Sequence, residues 1–341
     1  MAAAKLIETD AFAATMRSRI VRPAIREILV SRFVGSGQEA DLTVPPNCEG
    51  LGRVRHFRRT TASGWPENPL PIDPAAARLG RQGGDIVRAQ LFQNAACGWR
   101  CWYCFVPFNM LAGDENRAAW VTADQLIDMY VREPDRPDVI DLSGGSPDLT
   151  PEWIVWTMEA LEAAGLAETT YLWSDDNLST DYVFTHLDQA ARDRLASYRN
   201  YGRVCCFKGF DAEAFSFNTG AQPDAFEAQF ARFARYLDLG LDLYGYVTLT
   251  GPDEAAVPAG VPALLDRLQT IHPNLPLRVV PLQIGDFSPT RERDRRGGHG
   301  RFEAAARVQE SAISHWTAEL ERRFSPEMLA LGIVDVPMGT S

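Results

Sequence analysis

Residues 86–285 read as an α/β partial barrel of six strand–helix units. Three observations predict it. Short runs rich in β-branched and aromatic residues alternate with longer stretches of helical period, the pattern of a parallel sheet covered by helices. The residues that carry chemistry fall directly after predicted strands: three cysteines, a Gly-Gly pair, a Ser-Asp-Asp run and a lysine. In barrels of strand–helix units, functional groups sit on the loops at the carboxyl ends of the strands, so this placement gathers them at one mouth. Residues 1–85 lack the alternation and read as a helical and irregular N-terminal extension; residues 286–341 read as a C-terminal loop and helix.

The elements follow in order. Ile86–Phe92 is the first strand, and the first helix runs Thr122–Arg132 with Thr122 as its N-cap. Val139–Leu142 is the second strand and ends in Ser143-Gly144-Gly145-Ser146-Pro147. A helix follows over Pro151–Ala164, capped by Thr150 and stopped by Gly165. Thr170–Trp173 is the third strand, running into Ser174-Asp175-Asp176-Asn177, with helical sequence over Thr180–Tyr198. Arg203–Phe207 is the fourth strand and leads to Lys208; a helix spans Pro223–Leu239. Leu243–Leu249, a helix over Pro258–Ile271 and Leu277–Leu282 complete the set.

Outside this core, Thr9–Phe33 reads as one helix, with Phe12, Met16, Ile20, Ile25, Ile28 and Leu29 at helical spacing and Pro23 kinking it. Val34–Gly84 is rich in turns and prolines. The basic run Arg53–Arg59 inside it reads as a solvated edge strand, with a grip on an acidic group as the alternative. Thr290–Arg301 is expected to be a mobile loop that could close over an anionic substrate, ahead of a helix over Phe302–Phe324. His299 and His315 are expected at the surface rather than as ligands.

Composition narrows the class. With 45% hydrophobic and 23% charged residues in 341, the chain can bury a sizeable core. A net charge of −11 argues against general nucleic-acid binding. No apolar run approaches the ~20 residues of a membrane span, and the first residues lack the apolar centre of a secretory signal. Three of the six cysteines are clustered rather than spread as pairs, which fits a reducing, cytoplasmic setting.

That cluster is Cys97-Gly98-Trp99-Arg100-Cys101-Trp102-Tyr103-Cys104, a C-x3-C-x2-C loop directly after a strand. Iron–sulfur clusters are usually held by four thiolates; a loop offering three leaves one iron of a [4Fe–4S] cluster open to another ligand. A zinc knuckle is the competing reading. It needs a fourth ligand nearby, yet no second C-x2-C exists and the nearest histidines are His56 and His186.

The loop, with Tyr103 before its last cysteine, resembles that of the radical S-adenosylmethionine (radical SAM) enzymes. The resemblance covers about residues 86–285. It implies a TIM-like (β/α)6 partial barrel and a [4Fe–4S] cluster on Cys97, Cys101 and Cys104. It also implies that S-adenosylmethionine (SAM) chelates the open iron, and that an electron from an external flavodoxin- or ferredoxin-type donor splits it into methionine and a 5′-deoxyadenosyl radical. Gly144-Gly145-Ser146-Pro147 matches the family's Gly-Gly-Glu-Pro-like SAM motif with Ser146 in place of the acid; a plain turn is the alternative. Ser174, Asp175 and Asp176 would bond the ribose or methionine end of SAM, with helix capping as the alternative. Lys208 would pair with the SAM carboxylate unless it is merely solvated. Tyr103 would lie by the adenine unless it is a core aromatic. Gln283 stands where the activating-enzyme group of the family has a cofactor-binding His.

Strands four to six look most like that activating-enzyme group. Cys206-Phe207-Lys208, Thr219-Gly220, Gly251-Pro252-Asp253 and Pro281-Leu282-Gln283 answer to its Asp-Leu-Lys, Thr-Gly, Pro-Gly-x-Asp and Pro-x-His units. Cys206 for Asp and Gln283 for His depart from it. No cysteine follows Cys206, so the cysteine-rich C-terminal extension of many peptide-modifying members is absent. Cys205 and Cys206 read as small buried hydrophobes, and a second cluster built from them with Cys48 is the alternative. The expected activity is hydrogen-atom abstraction from a small molecule. The alternatives are an activating enzyme that places a radical on a partner protein, and a non-catalytic iron–sulfur protein. Tyr171, Tyr244, Tyr246 and Cys206 are candidate hydrogen donors to a product radical.

Overall fold

The computed structural model describes residues 5–297 and 300–339; His299 lies outside them. Ten strands are present: β1 (Val21–Arg22), β2 (Glu27–Ser31), β3 (Gly52–Arg58), β4 (Ile86–Phe92), β5 (Ala118–Thr122), β6 (Val139–Leu142), β7 (Tyr171–Asp176), β8 (Tyr201–Phe207), β9 (Leu243–Val247) and β10 (Val279–Pro281). The helices are α1 (Thr9–Arg17), α2 (Ile72–Arg78), α3 (Ala123–Arg132), α4 (Pro151–Ala163), α5 (Tyr182–His186), α6 (Gln189–Ser197), α7 (Ala212–Thr219), α8 (Ala225–Asp238), α9 (Val257–Ile271), α10 (Ser288–Gly297), α11 (Arg301–Arg323) and α12 (Pro326–Leu329). Among the described residues, no helix is long and apolar enough to cross a membrane.

Seven strands make one curled sheet in the order β10-β9-β8-β7-β6-β4-β3, parallel throughout except for β3, which runs antiparallel to β4 at the edge. Strands β6, β7, β8, β9 and β10 return through helices, as crossovers between parallel strands require. The result is the predicted half-barrel. On its convex face Leu172, Cys205, Phe207 and Val247 pack with Leu161, Phe233 and Leu264 of the helices. On its concave face Val139, Tyr171, Trp173, Val204, Cys206, Tyr244 and Tyr246 form a second core. Gly202 makes room there, since a Cβ at this position would stand 2.1 Å from the Tyr171 hydroxyl oxygen.

Residues 70–78 plug the amino end of the concave side, while Trp65 and Asn68 cross it beside the carboxyl ends of β9 and β10. Leu70, Ile72 and Ala75 join its core. Trp65 donates to the Pro281 carbonyl at 3.2 Å, the Tyr246 hydroxyl donates to Asn68 at 3.1 Å, and Arg78 pairs with Asp242 at 3.0 Å. Toward the carboxyl end of the concave face Arg53, Arg55, Tyr103 and Asp175 keep partly exposed polar side chains.

Several expectations need correction. The helix predicted over Thr9–Phe33 ends at Arg17. Pro23 lacks an amide proton and Arg26 takes a left-handed turn (φ 55°), so the chain reverses. The run Ile28-Leu29-Val30 is buried on both sides as β2, which pairs with β5. Its apolar residues satisfied a helical period without forming a helix. Thr180–Tyr198 splits into α5 and α6, the second capped by Asp188 accepting from the Ala191 amide. The segment 288–297 is the helix α10 rather than a loop. Thr122 caps α3 in a reciprocal box with Gln125, but Thr150 makes no capping bond to α4. The basic run is an edge strand, as read, but Arg53 and Arg55 turn toward the concave side.

Candidate cluster and cofactor site

The cysteine loop leaves β4 and is held from every side. Its backbone is tied to α7 through the Arg100 amide to the Thr219 carbonyl (3.0 Å) and the Trp102 amide to the Asn218 carbonyl (3.2 Å). Trp99 is fully buried edge-on to Phe215, with centroids 5.2 Å apart, and donates its indole proton to Thr9 of α1 at 3.3 Å. Two arginines clamp the loop carbonyls. Arg100 donates to the carbonyls of Cys97 and Trp99, each at 2.8 Å, and to Leu111 at 3.0 Å. Arg293 of α10 donates to the carbonyls of Trp102 (3.1 Å), Cys104 and Val106 (2.5 Å), with its guanidinium 4.0 Å from the Phe108 ring centre.

Cys97 and Cys101 are buried and Cys104 is half-buried, all with free thiols. Burial pushes the Cys101 thiol up to about 12, opposed by Lys208. Burial likewise raises Cys104, opposed by the Val106 amide, Arg293 and Lys208. Burial works against the charge of Lys208, but Cys206, Tyr103, Cys101 and Cys97 surround it and hold the ammonium well above its ordinary range. The opposing influences of Lys208 on Cys101 and Cys104 favour the charged forms of both partners, as a thiolate-bound group would require. Among the described residues no three His, Cys, Asp or Glu side chains close around a single metal ion. Three free thiols on one loop, with no histidine or carboxylate bonded to any of them among the described residues, are a donor set of the kind that suits an iron–sulfur cluster.

Below the loop lies the segment after β6. Gly144 (φ 75°) and Gly145 (φ 68°) adopt left-handed conformations that favour glycine. A Cβ on Gly145 would also stand 1.9 Å from Asn94 Oδ1 and 2.6 Å from the Ala96 carbonyl, so the turn packs on the exit of β4. Ser146 is completely buried. Its hydroxyl donates to Cys97 Sγ at 3.1 Å and accepts from Asn177 Nδ2 at 2.8 Å and the Gly98 amide at 3.3 Å. The residue standing in place of the acid thus touches the first cysteine.

The end of β7 separates the three candidates there. Ser174 and Asp176 face the helical layer: Ser174 shares a hydrogen bond with the Tyr201 hydroxyl (2.8 Å), and Asp176 pairs with Arg203 at 2.9 Å. Neither is brought to the concave side. Asp175 is, and its carboxylate accepts from Ser143 at 2.5 Å. Alternation along a strand is the reason, since neighbours point to opposite faces. Tyr103 is joined to Thr248, beyond β9, by a 2.9 Å hydroxyl–hydroxyl bond. Gln283 stands just past β10, half-buried. Cys205 and Cys206 face opposite sides of β8, and the Cys48 amide lies by Glu133 (2.8 Å), so these three cysteines do not meet.

Sequence reasoning missed Arg100, Arg293, Asn177 and Thr248. Arg100 stood inside the motif, and the pattern of cysteines drew the eye past it. Nothing in TRERDRRGGHGR singles out Arg293 from its neighbours, because its partners lie 187 to 191 positions away.

No family model matches the chain, and no curated protein matches it. Among solved structures it is similar to Streptococcus suis SuiB bound to S-adenosylmethionine, at 15% identity and a TM-score of 0.36 over 51% of this chain and 36% of that one. SuiB bound to the precursor peptide SuiA overlaps at 14% identity and a TM-score of 0.37, over 52% and 35%. The chain thus spans about a third of the length of SuiB. A mutant of spore photoproduct lyase overlaps at 13% identity and a TM-score of 0.44, over 67% and 72%.

Proposed function

We propose that this chain is a radical SAM enzyme that abstracts a hydrogen atom from a small molecule bound on the concave face of its half-barrel. The observation that carries the reading is the C-x3-C-x2-C loop, which follows β4 at the carboxyl mouth and carries three free thiols. Cys97, Cys101 and Cys104 would hold a [4Fe–4S] cluster, which when bound supplies the electron, drawn from a flavodoxin- or ferredoxin-type donor, that splits SAM reductively.

The chain's own residues do the rest. Arg100 and Arg293 orient the loop carbonyls outward from the thiols and fix the loop's shape. Ser146 donates to Cys97, and hydrogen bonds to a cluster thiolate tune its potential. Lys208 supplies the positive charge for the carboxylate end of SAM. Tyr103, Gly144, Gly145 and Gln283 line the approach for the remainder of the cofactor, while Asp175 takes the part expected of Ser174 and Asp176. The plugged amino end and α10 lying on the cluster loop favour a small molecule over a partner protein, because enclosure keeps water and stray donors from a reactive radical.

The test is anaerobic reconstitution with iron and sulfide, addition of SAM and a low-potential reductant, and detection of 5′-deoxyadenosine by mass spectrometry. The wild type is expected to form it and Cys101→Ala to form none. An iron–sulfur spectrum with neither SAM binding nor cleavage in the wild type would overturn the reading.

A further inference from the structure

Two charged side chains on the concave face, Asp141 and Arg53, keep buried polar atoms without a hydrogen bond. Asp141 of β6 is completely buried, and neither of its carboxylate oxygens receives a hydrogen bond. Its nearest cation, Arg55 Nη1, stands off at 3.5 Å. Arg53 of β3 has a buried Nε without an acceptor. Its guanidinium is held instead by aromatic faces, 5.7 Å from the ring centres of both Phe33 and Phe105.

Arg53 pairs with Leu91 across β3 and β4, and Leu91 pairs with Asp141 across β4 and β6, so the two charges lie on one transverse row of the sheet. Asp175 and Ser143 sit just beyond that row, toward the mouth. A buried carboxyl and a half-buried guanidinium left this incompletely satisfied cost stability. Burial, then the neighbouring Asp175, raises the Asp141 carboxyl to about 8 against the opposing pull of Arg55 and Arg53.

We infer that this row is a binding well for a small zwitterion, an α-amino acid or a molecule of that chemistry. Its ammonium meets Asp141, and its carboxylate meets Arg53 and Arg55. The packed side chains beside the row are apolar and aromatic, with Trp173, Tyr246 and Cys206 on the same face, so the body of the ligand is apolar or aromatic. As the substrate site of the proposed enzyme, the well rests on that reading. As a binding site it is built on β3, β6 and β7, none of which carries a cluster ligand.

The test is isothermal titration of the full chain with L-phenylalanine, 2-phenylethylamine and 3-phenylpropionate. It is run on reconstituted protein saturated with SAM and again on protein without iron. The amino acid is expected to bind about tenfold or more tightly than either single-charge analogue, since each loses a charged hydrogen-bonded pair. Asp141→Asn and Arg53→Gln are each expected to weaken it about tenfold while leaving SAM affinity and the melting temperature of the free protein undiminished. Equal binding of all three probes, no binding of any, or variants that bind like the wild type would overturn the inference. So would a loss of SAM affinity in Asp141→Asn, which would assign the well to the cofactor. Failure of the enzyme reading shows separately, as a wild type that carries no iron–sulfur absorbance yet still binds the amino acid.

Discussion

Asp176 and Asp141 lie on neighbouring strands of one sheet, and both are almost without exposure to water. On the convex face Asp176 meets Arg203 at 2.9 Å and accepts from the Leu178 amide at 2.6 Å, while Arg203 also donates to the Tyr201 hydroxyl at 2.9 Å. On the concave face Asp141 has only Arg55 at 3.5 Å, and Arg53 rests on aromatic rings. The acids and their burial are alike; satisfaction differs. A buried ion pair with more of its hydrogen bonds made serves the fold, whereas an acid and a guanidinium held apart leave polar atoms that the chain itself does not satisfy.

The comparison breaks most readily at the paired side. Arg203→Met would leave Asp176 buried without its cation, and a loss of about 3–5 kcal/mol in unfolding free energy is expected from urea denaturation. A loss near zero would mean that the convex pair is no more structural than the concave row.

Arg293 sharpens it from a second direction, because its contacts join α10 to the cluster loop rather than to the barrel. Arg293→Gln removes charged hydrogen bonds to three carbonyls, so a fall of about 1–3 kcal/mol in stability is expected. The reconstituted variant should also bleach faster than the wild type when a chelator is added. Equal bleaching rates would show that α10 does not hold the loop.

The smallest effect is a pH dependence at Asp141, whose surroundings include Arg53, Arg55, Asp175 and Ser143. Burial and Asp175 lift its carboxyl to about 8 in the folded chain, against about 3.9 when unfolded. Between those values the folded state keeps a proton that the unfolded state has lost, so this group makes stability fall as pH rises from about 4 to about 8. Asp141→Asn removes that slope. Its melting temperature relative to wild type should therefore rise between pH 5 and pH 8, and a difference constant with pH would refute the assignment.

Much of the site was legible because local chemistry announces it. The cysteine loop stands after a strand whose predicted limits, Ile86–Phe92, match β4, and Thr122 announced the start of α3 through its capping box. The Ser-Asp-Asp run was found but not resolved. Ending the strand at Trp173 made Ser174, Asp175 and Asp176 one loop, whereas β7 continues to Asp176 and sends alternate residues to opposite faces. The segment Ile20–Ser31 misled for a related reason: a short apolar run has no period of its own, and β2 was decided by its pairing with β5.

The sequence by itself determined the order of the six parallel strands between residues 86 and 282, though not β5 or α7, and with it the gathering of three cysteines and Lys208 at one end, because parallel strands joined by helices put every such loop on the same side. Only the tertiary structure decided which acids are paired and which are left waiting, and which arginine of a basic segment reaches back to hold the cluster loop. Those outcomes depend on register across strands and on contacts between residues far apart in the chain, and no local propensity encodes them.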